Sequence, residues 1–374
     1  MREGIGVLTA MTNTVLRNVR LFEGDAFGDP GALAFDDGVI TAIHDGSDGE
    51  AADVIDGGGG FLLPGFIDCH VHLYGPETLT ALATHGVTTA LDMSSPAPLV
   101  NALRGRRGVT DIRSGMMALS SPSSAHAQRM KDIPAAREAL VEDATAVSAA
   151  VARRVEQGAD YIKVVIDLPG FDQATVDAIV MEAHRHGLKT VAHASRSDAV
   201  EMAQRAGFDV LTHVPLDRPI DDERAGALAA AGVVVVPTLT MMKGIVERLA
   251  GTGGPGPRYE PAADSVTALH RAGVTVLVGT DANQTPAAPA SPPMGASLHD
   301  ELALLVQAGL TPAEALRAAT SAAADYFDLP DRGRLVVGLR ADLVLLERDP
   351  TSDIDASRSI RGVWIAGEPV VELR

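Results

Sequence analysis

Residues 161–195 have the sequence YIKVVIDLPGFDQATVDAIVMEAHRHGLKTVAHAS, in which two short apolar runs flank a helical stretch. The outer runs are rich in β-branched residues, which is typical of buried strands. The stretch between them begins at Asp172 and stops at Gly187, and these residue types start and end helices. A strand, a helix and a second strand in this order predict two parallel strands joined by a crossover helix.

The same unit recurs along most of the chain. Apolar, β-rich runs, most of them separated by helical stretches that end in glycine, occur eight times: GFIDCHVH, VTTALDM, IRSGMMAL, YIKVVID, TVAHAS, VLTHVP, VVVVPTLT and VTVLVGTD. Two later helices are predicted over SLHDELALLVQAG and TPAEALRAATSAAADYFD, the second with Thr311 as its N-cap. Eight strand–helix units are typical of a TIM barrel. We therefore predict an α/β fold with a distorted (β/α)8 barrel over residues 61–332.

Both ends of the chain are rich in short β-like runs without a helical period. The N-terminal runs are TVLRNVRLF, GALAFDDGVITAIHDG and ADVIDGGGG, and the C-terminal runs are RLVVG, ADLVLLERD and GVWIAGEPVVEL. Neither end has enough residues to enclose a core of its own. We predict that residues 1–60 and residues 333–374 together form one small β-sandwich domain beside the barrel.

The composition is that of a globular protein, and it limits the possible partners. Of the 374 residues, 46% are hydrophobic and 21% are charged, with a formal net charge of −18. This charge argues against nucleic acid or an anionic membrane as a partner. It says little about the substrate, and homo-oligomerisation stays open. Cys69 is the only cysteine, which excludes an internal disulfide. Without a ~20-residue apolar run or a signal-peptide pattern, we expect a cytoplasmic protein.

Two histidines, His70 and His72, stand at the end of the first predicted barrel strand. Side chains of an extended chain repeat with period two, so both imidazoles point the same way, about 7 Å apart along the backbone. Two neutral imidazoles that converge on one point suit a metal ion. An ordinary pair of polar residues in a loop is the alternative for this motif alone.

Other polar residues interrupt the later strands at the same end: Lys163 in the fourth, His193 in the fifth, His213 in the sixth and Asp281 in the eighth. A single strand histidine is usually a hydrogen-bonded core residue, whereas lysine is almost never fully buried without a partner. Because strand ends of a barrel form a ring, all six side chains are expected to face its central opening. Four imidazoles, an amine and a carboxylate are too polar for packing alone, and they predict a two-metal site.

The sequence resembles the amidohydrolase superfamily of metal-dependent hydrolases, close to its prolidase-like and imidazolonepropionase-related members. The motifs that carry this resemblance are LPGFIDCHVHL, GVTTALDM, GADYIKVV, EAHRHGLKTVAHAS, AGFDVLTHV, GVTVLVGTDA, LTPAEALRAATSAAADYFDL and GLRADLVLLERDP. The resemblance implies that His70, His72 and Asp281 hold the more buried of two divalent metal ions, expected to be Zn²⁺. It implies that His193 and His213 hold the second ion, and that Lys163, carboxylated by CO2, bridges the two.

The same resemblance implies hydrolysis of an amide or peptide-like C–N bond of a small molecule by a hydroxide that bridges the two metals. Asp281 would move the proton from this hydroxide to the leaving amine. Three residues near the strand ends are candidate substrate contacts: His126, Tyr74 and Arg196. The substrate stays open among dipeptides, N-acyl amino acids, ureas, carbamates and aryl amides.

Two other functions stay open. One is a mononuclear deaminase or cyclic-amide (imidazolone-type) hydrolase. Deaminases of this type need an additional acid, commonly a Glu shortly after the histidine of the fifth or sixth strand. HASRSD and THVPLD contain no Glu, and Lys163 would then have no function. A metal-free binding protein on the same barrel belongs to a different class, although no ligand position is degraded. The number of metal ions per chain separates the three hypotheses.

Overall fold

The structure, a computed structural model, describes residues 14–44, 53–250, 256–286 and 288–372. The first residues of the chain, on which the expectation of no signal peptide partly rests, lie outside these ranges. Among the described residues, no helix combines the length and apolarity that crossing a membrane requires.

Fifteen strands are present in the described part of the chain. Their bounds are β1 Thr14–Phe22, β2 Phe27–Asp36, β3 Val39–His44, β4 Asp53–Pro64, β5 Phe66–Val71, β6 Val87–Asp92, β7 Asp111–Ser114, β8 Leu119–Ser120, β9 Ile162–Val165, β10 Thr190–His193, β11 Val210–Thr212, β12 Val234–Val236, β13 Leu343–Leu346, β14 Ile360–Ile365 and β15 Glu368–Val371.

Thirteen α-helices lie in the same part of the chain. Their bounds are α1 Pro76–Thr84, α2 Ala97–Leu103, α3 Ala125–Arg129, α4 Pro134–Arg137, α5 Val147–Glu156, α6 Gln173–Arg185, α7 Ser197–Ala206, α8 Asp222–Ala230, α9 Leu239–Leu249, α10 Glu260–Arg271, α11 Ala296–Gln307, α12 Pro312–Ala318 and α13 Ser321–Tyr326. Short 3₁₀ turns occur at Ala144–Ala146 and Ile354–Arg358.

Two parallel sheets carry the helices, which confirms the predicted α/β fold. One has the strand order β12-β11-β10-β9-β8 and the other the order β5-β6-β7. The eighth predicted strand makes only two isolated bridges, Val235 with Val276 and Val71 with Ala282, and these connect it to both sheets. At the other edge, the backbone N–H of Asp160 donates to the carbonyl oxygen of Ser114 at 2.9 Å.

Two predicted elements are interrupted. The third predicted strand divides into β7 and β8, because the chain leaves strand geometry at Gly115 and at Met116, whose φ is +56°. A Cβ on Gly115 would lie 3.0 Å from the Tyr161 ring and 3.1 Å from the Cβ of Lys163, so glycine permits this close passage. The last predicted helix divides into α12 and α13, although its Thr311 N-cap is confirmed by a hydrogen bond from the Glu314 N–H.

Strands from both ends of the chain lie in one seven-stranded sheet with the order β15-β14-β13-β4-β1-β2-β3. β4 is the connecting strand, because it pairs in parallel with β1 and antiparallel with β13. β4 also extends to Pro64, past the predicted boundary at residue 60. The described strands of the two chain ends form one continuous sheet, which does not by itself show two packed layers. The two-layer sandwich and the domain boundaries therefore stay predictions.

The predicted strand RLVVG is wrong. Residues 334–338 form bends and turns, and the side chains of Val336 and Val337 are 48% and 54% exposed. Gly338 has a φ of +92°, which reverses the chain there. An apolar composition alone therefore did not indicate burial in this segment.

Candidate active site

The ends of the parallel strands bring the six predicted metal ligands to one cavity. His70 is the next-to-last residue of β5, His193 is the last residue of β10, and Lys163 lies in β9. The cavity has a volume of about 500 Å³ and is called the central cavity below. Its lining includes all six residues: His70, His72, Lys163, His193, His213 and Asp281.

Asp281 lies in the middle of the imidazoles. Its Oδ1 is 3.0 Å from Nε2 of His72 and 3.4 Å from Nε2 of His70. Its Oδ2 is 3.9 Å from Nε2 of His213. His70, His213 and Asp281 are buried and offer one ligand atom each within 4.8 Å of one another. Histidine nitrogens and a carboxylate oxygen at these separations are suitable ligands for a divalent metal ion.

His193 joins the group through His213. Nδ1 of His193 lies 2.9 Å from Nε2 of His213, and the two ring centroids are 4.6 Å apart. In such a contact one ring donates and the other accepts, so at least one of the two is a neutral imidazole. The residues proposed for the two metals are therefore adjacent.

Two threonine hydroxyls orient the histidines from behind. Oγ1 of Thr212 is 2.7 Å from Nδ1 of His70, and Oγ1 of Thr238 is 2.5 Å from Nδ1 of His213. Each contact fixes the ring so that its Nε2 faces Asp281. The sequence analysis did not single out these threonines.

The electrostatics favour neutral imidazoles at three of the four histidines beside an ionised Asp281, whereas Asp281 favours the protonated form of His72. Burial lowers the pKa of His70 and His193 well below the usual range, and it lowers that of His213 to about 4. Burial alone would lower the pKa of His72 too, but the hydrogen bond and charge of Asp281 outweigh it and the pKa is raised. The pKa of Asp281 is lowered, since the hydrogen bond from His72 and nearby cations outweigh its burial. Metal ligands need to be deprotonated, so a metal ion at this position would have to replace the proton on His72.

Lys163 is the least satisfied group in the central cavity. The residue is 3% exposed, and its buried Nζ has no hydrogen-bond partner among the described residues. Burial lowers the pKa of this amine to about 7, against the opposing charge of Asp281. A buried amine without partners costs free energy that a further group in the cavity would recover. This donor set therefore fits a centre of two divalent metals with a modified lysine.

Asp68, which the sequence analysis passed over, ties the two ligand-bearing segments together. Its Oδ1 accepts from the backbone N–H groups of His70 and Thr280, both at 3.1 Å. Its Oδ2 accepts from the hydroxyl Oγ1 of Thr280 at 2.7 Å. These bonds hold β5 beside the segment that carries Asp281. Asp68 lies two residues before His70 and four before His72. Because side chains alternate along a strand, this spacing could have predicted that Asp68 lies on the same side of the strand as the two histidines.

The three predicted substrate contacts have different outcomes. His126 lines the central cavity with its ring centroid 6.5 Å from that of His193. Tyr74 also lines it, and its hydroxyl lies 2.6 Å from Oγ1 of Thr285. Arg196 is absent from the lining; it lies at the N-cap position of α7, and its exposed side chain pairs with Asp198 at 3.3 Å. The geometry gives the prediction for Arg196 no support.

The lining also contains two charged residues that the sequence analysis did not name as site residues, Arg129 and Asp167. Oδ1 of Asp167 lies 4.0 Å from Nε2 of His193. Oδ2 of Asp167 accepts a hydrogen bond from the backbone N–H of His126 at 2.9 Å. Most of the remaining wall is apolar and includes Leu73, Leu99, Met117, Met130, Ile133, Leu216, Met241, Met242 and Ile245. Such a wall suits a substrate with an apolar part.

Residues 61–370 match the amidohydrolase family. The chain belongs to this family. The predicted amidohydrolase superfamily is therefore confirmed.

Three similar proteins illustrate the range of the family. An uncharacterised protein of Mycobacterium tuberculosis is 27% identical over 330 residues, which cover 78% of this chain and 80% of that protein. The imidazolonepropionase of Stenotrophomonas maltophilia is 27% identical over 414 residues, with 91% and 93% covered. A solved Xaa-Pro dipeptidase with bound methionine has a TM-score of 0.81 at 22% identity, with 96% and 99% covered. That last likeness concerns the fold alone.

Proposed function

We propose that this chain is a binuclear metal-dependent hydrolase that cleaves an amide or peptide-like C–N bond of a small molecule. The observation that carries the proposal is the buried, unpartnered Nζ of Lys163 in the same cavity as four histidines and Asp281. Membership of the amidohydrolase family supports metal-dependent hydrolysis of C–N bonds. Similarity to an imidazolonepropionase supports it as well.

The proposed ligand sets divide the six residues between two divalent ions, with Zn²⁺ the expected metal. His70, His72 and Asp281 would hold one ion, and His193 and His213 the other. Lys163 would bridge them after its neutral amine adds CO2 and releases a proton, which makes a carbamate. This reaction converts a buried neutral amine into an anion, and adjacent dications lower the cost of burying that anion.

In the proposed reaction, water adds to the scissile carbonyl and the amine leaves with a proton. The metal ions, when bound, would polarise the carbonyl and make water more acidic. Asp281 is the proposed proton carrier, taking the proton from water and delivering it to the leaving nitrogen. His126 and Tyr74 are proposed to contact the substrate, since both line the central cavity.

We infer the rest of the architecture from the same family. The two parallel sheets and the eighth strand segment would close into a distorted (β/α)8 barrel over residues 61–332. Residues 1–60 and residues 333–374 would form its β-sandwich companion. A small-molecule substrate and a cytoplasmic location remain part of the proposal.

Metal content and hydrolysis, measured on one preparation, test this function. Plasma emission spectrometry should find two divalent ions per chain, and a panel of N-acyl amino acids, dipeptides and aryl amides should contain a hydrolysed compound. One ion per chain with release of ammonia or opening of a cyclic amide would favour the mononuclear alternative. No bound metal and no hydrolysis would contradict the proposal in favour of a binding protein.

A further inference from the structure

Arg129 is a charged side chain of the central cavity that the proposed chemistry does not use. Arg129 is exposed, lines the cavity and makes no hydrogen bond or ion pair with the described residues. The lining carboxylates Asp167 and Asp281 already contact N–H or imidazole groups. Arg129 therefore has the capacity to bind an anion that enters from solvent.

The position of Arg129 relative to the candidate metal ligands follows from α3. His126 and Arg129 are three residues apart in this helix, so they lie on one face with Cβ atoms about 5–6 Å apart. The ring centroids of His126 and His193 are 6.5 Å apart, and the backbone N–H of His126 donates to Asp167 at 2.9 Å. Ser124 caps the helix by accepting from the Ala127 N–H at 3.0 Å. These contacts place Arg129 one helical turn from His126.

We propose that Arg129 is a specificity-determining residue that binds a free carboxylate on the amine half of the substrate. The inference rests on the proposed amide hydrolysis and identifies the substrate as an N-acyl amino acid. In such a compound the carboxylate is separated from the amide nitrogen by a single carbon. A carbonyl bound beside His193 and His126 would therefore place the carboxylate within reach of the guanidinium.

Two further features support an anionic group with apolar surroundings. The planar guanidinium offers paired N–H donors that match a carboxylate, and such charge-assisted bonds are stronger than neutral ones. Met130 and Ile133, close to Arg129 in the chain, line the same cavity and suit an apolar side chain. Although the formal net charge of the protein is −18, a cationic side chain at the cavity wall attracts an anion locally.

The test compares apolar N-acyl-L-amino acids with their carboxamides, which lack the negative charge. In Arg129→Gln, KM for the acids should rise about 10- to 100-fold, the range expected for a lost charge-assisted hydrogen bond, with kcat nearly unchanged. The carboxamides should show no such change. Arg129→Lys should restore part of the affinity, because it keeps the charge without the planar fork.

Arg137→Gln is the matched control. Arg137 is exposed, bonds the Lys131 carbonyl oxygen at 2.6 Å and does not line the central cavity. The same loss in both variants would overturn the proposal, because it would show a general charge effect. A similar loss in Arg196→Gln with none in Arg129→Gln would also overturn it.

A binding measurement separates the subsite from the reaction. N-benzyl-L-leucine, in which a methylene replaces the carbonyl, is titrated calorimetrically against its carboxamide. The acid should bind the wild type about 10- to 100-fold more tightly than it binds Arg129→Gln. Equal binding, or equal wild-type hydrolysis of acids and carboxamides, would overturn the subsite while amide hydrolysis stands. Selective binding without hydrolysis of any amide would overturn the proposed function instead.

Discussion

At the residue scale, a substitution of Asp281 can separate proton transfer from metal binding. Asp281 contacts both His70 and His72, and its pKa is lowered by the His72 hydrogen bond and nearby cations despite burial. Asp281→Asn keeps an oxygen and the volume but removes the basic carboxylate. Turnover should fall by about 10²–10⁴, the usual size of a general acid–base contribution, while much of the metal stays bound. Near-normal turnover in a metal-replete variant would mean that the proton uses another route.

The hydroxyl of Thr238 gives a second prediction at this scale. It lies 2.5 Å from Nδ1 of His213, and Thr238→Val removes it without changing the shape of the side chain. We expect metal affinity to fall about 10- to 100-fold, since groups that orient ligands usually have effects of this size. Chelator competition measures the change. Thr84→Val, at an exposed helix position, is the control, and equal affinities in the two variants would contradict the orienting role.

The sequence supplied the candidate metal ligands more readily than the groups that hold them. His70 and His72 were identified from strand period, and Lys163 from the rarity of buried lysine. Thr212 and Thr238 were not predicted, because threonines in or near strands are common. The histidine that each one contacts could not be identified from its sequence neighbours. Their contacts exist only after the strands assemble.

At the scale of elements, Glu301 of α11 holds the start of α9. The residue is fully buried, and its carboxylate accepts from the N–H groups of Leu239 and Thr240 at 2.8 and 2.7 Å. Thr238, which contacts His213, directly precedes this helix turn. In Glu301→Gln, the amide nitrogen of the new side chain would face one of these donors. We expect a loss of about 1–3 kcal/mol in the free energy of unfolding, measured by urea denaturation.

Asp300→Asn is the neighbouring control for Glu301. Asp300 is exposed and pairs with Arg358 at 2.7 Å, so its loss should cost about 1 kcal/mol or less. If Asp300→Asn destabilises the protein as much as Glu301→Gln does, the result would contradict the proposal that Glu301 anchors the start of α9.

Sequence patterns identified most elements but not their interruptions. The predicted third strand breaks at Gly115, where the chain passes over Tyr161 and Lys163. The eighth predicted strand forms only isolated bridges. Its last two residues, Thr280 and Asp281, bond to β5 through Asp68 and through the carbonyl oxygen of His70. Local periodicity contains no information on such partners.

At the scale of the whole molecule, Arg332 links the segment after α13 to strands β6 and β7. It is 4% exposed, and its Nη1 donates to Oγ1 of Thr89 and to Oδ2 of Asp111, both at 2.8 Å. Arg332→Met would leave the partly buried Asp111 carboxylate less compensated. We expect a loss of about 3 kcal/mol in unfolding free energy, seen as a lower denaturation midpoint.

Arg334→Met is the matched control for Arg332. Arg334 binds Asp325 with two bonds of 2.7 and 2.6 Å, but both side chains are about half exposed, so the loss should stay near 1 kcal/mol or less. Comparable destabilisation by the two substitutions would contradict the linking function of Arg332.

The participation of both chain ends in one β unit could be predicted, whereas its strand order could not. β4 pairs with β1 and with β13, which lies about 280 residues later in the chain. Hydrophobic pattern indicates which segments need partners but does not specify distant ones. RLVVG shows the converse, since its apolar residues remain exposed in a turn.

The central claim is that Lys163 carries a carboxylate that bridges two divalent ions. Carbon-13 NMR of protein reconstituted with metal in ¹³C-bicarbonate tests it directly. The account predicts one carbamate carbon and two metal ions per wild-type chain, and neither the signal nor turnover in Lys163→Ala. Short carboxylic acids should restore part of that turnover by replacing the bridge. A fully metallated, active wild type without a carbamate signal would contradict the account.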